Sequence, residues 1–140
     1  MSANAYPGPI PVPTPETKEF WNGAREKKLR LQRCDDCGKA YFYPRPLCPN
    51  CMSRRVRWFD ASGRGKLHTF VINHRGPRKS PLPVPFIVAI VELEEGPKMM
   101  SNLVGIEPDP AKLRLDMPVE VVFEPITDEI TLPRFRPVAA

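Results

Sequence analysis

Apolar and polar residues alternate along much of this chain with the period of two expected of strands that bury one face. Leu29-Arg30-Leu31-Gln32-Arg33 alternates cleanly, and Arg54-Arg55-Val56-Arg57-Trp58-Phe59 does so again, placing Trp58 and Phe59 on opposite faces. Lys66 to His74 reads as a longer strand with Leu67, Phe70 and Ile72 as core candidates. Its phase shifts around Thr69-Phe70, which predicts a bulge of the kind that lets a strand curve in a barrel. Phe86 to Glu94 is nearly continuously apolar and predicts a central strand. Glu95-Gly96-Pro97 turns it into a third strand, Lys98 to Val104, and two more follow at Val119 to Glu124 and around Ile130 to Phe135. One short helical turn fits Ala111 to Leu115.

Only one segment carries helical signals. Thr14 suits a cap, Pro15 the first helical position and Glu16 the first turn. The predicted helix runs to about Lys28, with Phe20, Trp21 and Ala24 on one side, Gly23 as a weak point, and a basic last turn. It is expected to cover an open face of the remaining chain. Before it, residues 6–15 have proline at nearly every second position, which favours extended polyproline II. Ile10 and Val12 give this arm an apolar side to lay across a partner.

The 19 prolines among 140 residues argue against long helices. The fold expected is mainly β: an arm and helix over residues 1–29, a metal-stapled hairpin module over 30–60, and a five-stranded barrel of the OB type over 61–140. A small sandwich is the alternative to the barrel. No apolar run approaches the ~20 residues of a membrane-spanning helix, and residues 1–20 lack the basic start and apolar core of a secretory signal. A cytoplasmic protein is expected.

All four cysteines lie in two C-x-x-C pairs, Cys34/Cys37 and Cys48/Cys51, separated by ten residues. Each pair brings two thiolates to one point, and two such turns facing each other supply four soft ligands to one tetrahedral Zn²⁺. Four thiolates also suit iron, and two disulfides would need an oxidising compartment that nothing in the sequence indicates. A metal saturated by four cysteines keeps no open position, so its role is to fold the chain, not to catalyse. No catalytic residue is expected elsewhere. His68 and His74 have no carboxylate beside them, no thiol remains as nucleophile, and no phosphate-binding glycine loop is present.

Charge is divided unevenly. Residues 25–79 carry 15 Lys+Arg against 4 Asp+Glu, while residues 80–140 carry 5 against 10. The basic portion fits nucleic acid, an acidic protein or a phosphate-bearing small molecule. Single-stranded nucleic acid is one reading, with Tyr41, Phe42, Tyr43 and Phe70 as stacking candidates.

In combination, the proline-rich leader and helix, Arg33, Cys34, Cys37 and Gly38, then Cys48, Pro49, Cys51 and Ser53, then Trp58, Phe59, Ser62, Gly63 and Gly65, resemble one family. It is the family of rubredoxin-like zinc-ribbon plus OB-fold proteins long labelled a domain of unknown function. Pro85-Phe86 and Phe123 extend the resemblance over nearly the whole chain. The resemblance implies a helix, a rubredoxin-like ribbon and an OB barrel in that order. It also implies a non-catalytic partner of a thiolase-like or hydratase-like acyl-CoA enzyme, which contacts acyl-CoA in some form. Under that reading Arg54, Arg55, Arg57, Arg75, Arg78 and Lys79 are the candidates for the CoA phosphates.

Overall fold

The computed structural model describes residues 6–138, so the first five residues of the predicted arm and the last two of the predicted barrel module lie outside it. One α-helix, α1 (Lys18–Arg25), precedes eight strands: β1 (Arg30–Cys34), β2 (Ala40–Tyr41), β3 (Val56–Asp60), β4 (Arg64–Asn73), β5 (Phe86–Leu93), β6 (Lys98–Leu103), β7 (Pro118–Pro125) and β8 (Thr131–Pro137). A 3₁₀ turn at Pro110–Lys112 stands where a short helical turn was expected. No helix among the described residues is long and apolar enough to cross a membrane.

The helix starts later than its capping signals predict. Thr14 and Pro15 form a turn instead, in which the Thr17 and Lys18 amides donate to the Thr14 carbonyl, and Thr17 takes the cap position. The helix ends at Arg25, and Lys27 adopts a left-handed conformation (φ 63°) that turns the chain into β1. Gly23 is required by this return. A Cβ at that position would lie 2.7 Å from the Arg30 side chain and 3.0 Å from the Lys28 carbonyl. Arg30 in turn ties the helix to the ribbon through Glu19, Glu26 and Asp60.

Strands β2, β1 and β3 form a three-stranded antiparallel sheet, and the other five close a barrel in the order β4-β5-β6-β8-β7. The predicted bulge falls at His68: Leu67 pairs with Val91 and Thr69 with Ile90, leaving His68 as the extra residue. In β5, Ile87, Ala89, Val91 and Leu93 point inward and their neighbours are half-buried. Leu67, Val119 and Phe135 are fully buried with them, while Phe70 and Ile72 pack against this core only partly.

The barrel is closed unequally. Strands β7 and β8 pair along seven residues each, but β6 and β8 meet in register only at Leu103 and Phe135. Along the rest of that seam side chains replace the backbone ladder. The Ser101 hydroxyl donates to the Pro133 carbonyl (2.9 Å), and Arg134 donates to the Asn102 side-chain oxygen (2.6 Å). Helix α1 lies against β1, β7 and β8, and Phe20, 5% exposed, joins the barrel core. The helix therefore covers an open face, as its apolar side predicts, and on the barrel that face is formed by β7 and β8.

Candidate functional site

The ribbon consists of two chain turns that repeat one another fourteen residues apart. In the first, the Gly38 amide donates to the Cys34 carbonyl (2.9 Å), and the Cys34 amide to the Lys39 carbonyl (3.0 Å). In the second, Met52 donates to Cys48 (2.9 Å) and Cys48 to Ser53 (2.9 Å). The residue after each second cysteine is left-handed, Gly38 at φ 77° and Met52 at φ 67°. Glycine meets that demand without strain; methionine does so against its Cβ. Strands β1 and β3 hold the first turn in place, Cys34 itself pairing with Val56.

The two turns bring all four Sγ atoms within 4.8 Å of one another, with Cys34–Cys51 at 3.5 Å and Cys37–Cys48 at 3.6 Å. A tetrahedral zinc with Zn–S bonds of about 2.3 Å separates its sulfurs by about 3.8 Å, so the donor set fits that ion. Cys34 and Cys48 are buried, Cys37 and Cys51 at the surface. The Cys37 amide points at the Cys34 sulfur (3.4 Å) and favours its thiolate, assisted by the Asp36 amide, against the effect of burial. At Cys48, burial opposes ionisation, but the Cys51 and Asn50 amides outweigh it and hold the thiol at about 6. Cys51 moves the other way, up to about 12: the Ser53 amide favours its thiolate, but the facing Cys34 sulfur and burial prevail. Backbone dipoles thus prepare the two buried sulfurs as thiolate ligands.

Carboxylates next to the cysteines bind the returning strand. Asp35 accepts from Arg57 (2.7 Å), Asp36 pairs with Arg55 (3.1 Å), and the Ser53 hydroxyl donates to Asp36. Two of the predicted phosphate-binding residues, Arg55 and Arg57, are therefore engaged in holding the ribbon together. Arg54 is exposed after the second turn, and Arg75, Arg78 and Lys79 are exposed on the β4–β5 connection; none of the four has an ion pair among the described residues. The aromatic stacking candidates serve packing. Tyr41 is 5% exposed and donates to the Arg45 carbonyl, Phe42 meets Phe20 at 5.4 Å between centroids, and Phe70 packs on the barrel core. Tyr43 alone stands out, at 55% exposure.

Sequence reasoning passed over a cavity of about 330 Å³ where helix, ribbon and barrel meet. Phe20, Trp21, Phe42 and Tyr43 line one side; Met99 and Met100 of β6 and Leu132 to Arg134 of β8 line the other. Arg134 is 5% exposed and is satisfied by Glu124, Asn102 and the Tyr6 hydroxyl, which fastens the start of the arm to the barrel. The only local signal for it was an arginine set inside an apolar strand, Leu132-Pro133-Arg134-Phe135.

Two family profiles match in tandem: the ChsH2 rubredoxin-like zinc ribbon domain over residues 21–57 and the ChsH2 C-terminal OB-fold domain over residues 58–124. A DUF35 domain-containing scaffold protein of Methanocaldococcus jannaschii is 36% identical over 113 residues, covering 78% of this chain and 77% of its own. The chain belongs to the ChsH2/DUF35 family. A probable enoyl-CoA hydratase alpha subunit of Thermomonospora curvata is 38% identical over 119 residues, 84% of this chain. This chain spans 36% of that relative's length. Among solved structures, a chain of the Ltp2-ChsH2(DUF35) aldolase superposes with a TM-score of 0.80 at 34% identity, covering 91% of this chain and 98% of the other. In this DUF35 protein the four cysteines accordingly form the structural zinc site of a rubredoxin-like ribbon.

Proposed function

We propose that this DUF35 protein is a non-catalytic zinc-binding subunit of an acyl-CoA enzyme of the hydratase, aldolase or thiolase type, acting in the cytoplasm, where its thiols stay reduced. The observation that carries this reading is the likeness, over 91% of the chain, to a chain of the Ltp2-ChsH2(DUF35) aldolase. The hydratase alpha subunit among the relatives carries the same module within a longer protein, which fits a part that works alongside a catalytic unit. The chemistry of the chain agrees. Its cysteines are committed to one metal centre, and His68 and His74 are exposed on and just after β4 with no carboxylate paired to them among the described residues.

Acyl-CoA contact is the finer part of the proposal. Arg54, Arg75, Arg78 and Lys79 remain free to meet phosphate groups, while Arg55 and Arg57 do so only by releasing Asp36 and Asp35. Purification of the untagged chain from its native cell is expected to bring down a hydratase-, aldolase- or thiolase-like enzyme. Calorimetry of that complex against an acyl-CoA, with Arg78→Ala and Lys79→Ala for comparison, tests the phosphate contacts. Recovery of the chain alone, with no heat on titration, refutes the proposal.

A further inference from the structure

The cavity at the three-module junction has the make-up of a protein-docking site. Its rim keeps large apolar side chains in water: Met100 is 56% exposed and Tyr43 55%. Trp21 lines this cavity and also a second depression of about 780 Å³, between the helix and the arm, in which Ile10 (47% exposed) and Val12 (81%) lie. An apolar surface thus runs from the arm across Trp21 to Tyr43 and Met100, drawn from all three modules. Rigid aromatic anchors beside a preformed recess, with an adaptable methionine, are the ingredients of an interface hot spot. Isolated exposed apolar residues need no explanation, whereas a contiguous patch does.

The charges around the patch indicate what lies on it. Lys18 and Arg25 flank Trp21 on the helix and line the depression beside the arm; both are exposed and without an ion pair among the described residues. Glu129, beside the arm, is the one carboxylate lining either depression. Arg134, inside the cavity, is already neutralised by Glu124. Among the unpaired charges that line the two depressions, Lys18 and Arg25 outnumber Glu129 by one, so the lining is positive.

The geometry points to this surface as the seat of the catalytic subunit, which contributes an apolar side chain to the cavity from a segment flanked by Asp or Glu. The inference rests on the accessory-subunit reading above and adds where, and by what chemistry, the two chains meet. Helix, ribbon and barrel each supply part of the seat, so the zinc turns serve binding by holding Phe42 against Phe20 of α1 and Tyr43 against Phe42, and a partner on this face also secures the β6–β8 seam.

The test uses the full chain co-expressed with the enzyme subunit recovered from its native cell. The photocrosslinker p-benzoylphenylalanine is placed at position 43 or 100, and, as controls, at the exposed apolar positions 52 and 115. Crosslinks from 43 and 100 to an apolar, acid-flanked peptide of the enzyme are expected, with none from 52 and 115. Met100→Glu and Tyr43→Glu, each checked for zinc content and circular dichroism, are expected to weaken the complex at least about tenfold. A complex that forms with crosslinks from the control positions alone, or with both glutamate variants binding normally, overturns the inference and leaves the accessory-subunit reading standing. Crosslinks to a second copy of this chain overturn it in favour of self-association. If no complex forms at all, both readings fall together.

Discussion

Phe20 is the side chain on which the three modules meet, and Phe20→Ala measures what that junction contributes. The ring is 5% exposed, 5.0 Å from Trp21 in an edge-on arrangement and 5.4 Å from Phe42, and it is part of the barrel core. A buried phenylalanine removes about 150 Å² from water, which at about 25 cal/mol/Å² is about 4 kcal/mol. Residual burial in the unfolded chain lowers this by up to about 40%. Loss of two aromatic contacts and enlargement of a cavity that is already about 330 Å³ raise it again. The expected cost is ~3–5 kcal/mol. That is a large share of the ~5–15 kcal/mol that stabilises an ordinary domain. Urea unfolding followed by tryptophan fluorescence reports it directly, because Trp21 sits against Phe20 and Trp58 lies in β3. Zinc stoichiometry, measured in parallel, is expected to stay at one per chain, since the four cysteines that form the site are unchanged. A loss below about 1 kcal/mol would refute the idea that Phe20 joins helix, ribbon and barrel into one core. A loss of zinc would refute the separation of ribbon and junction.

Two further outcomes follow from the ribbon. Cys34→Ser removes a buried ligand whose amide also pairs with Lys39, and is expected to release the metal and unfold residues 30–60, as read by elemental analysis and amide exchange; retention of zinc would show that three cysteines suffice. Tyr41 is held neutral by burial, assisted by the nearby Cys48 and Cys34 sulfurs and opposed by Arg45, with its phenol raised to about 12. Its folded pKa lies above the unfolded value of about 10, so the stability it contributes is complete below pH ~10 and is lost as pH rises from ~10 towards 12. Spectrophotometric titration is expected to show one of the three tyrosines ionising only with unfolding, and Tyr41→Phe should remove that dependence.

The parts of this protein that were legible in the sequence are those whose cause is local. A C-x-x-C pair dictates its own turn, so the four ligands and their convergence could be read from spacing alone. Alternation within a strand dictates which residues face inward, so the barrel strands and the bulge at His68 appeared within a few residues of their places. The helix start was misread because Thr14 and Pro15 satisfy local capping rules, while the chain there is still turning and hydrogen-bonds Thr14 to Thr17 and Lys18. Gly23 looked like a weakness, because its reason, the return of Arg30 across the helix, lies seven residues away.

Tertiary structure alone decided the rest. The β6–β8 seam is bridged by Ser101 to Pro133 and Asn102 to Arg134, each pair 32 residues apart, and the arm is fastened by Tyr6 to Arg134 across 128 residues. No periodicity along the chain encodes such partners. Arg54, Arg55 and Arg57 read as one basic run, yet Asp35 and Asp36 reach two of them only because the two turns close around the same metal site. The recess beneath Trp21 exists because a helix, a zinc-held loop and two barrel strands that lack a continuous ladder come together there. Local pattern determines which elements form; where they leave a surface unfilled depends on how they pack.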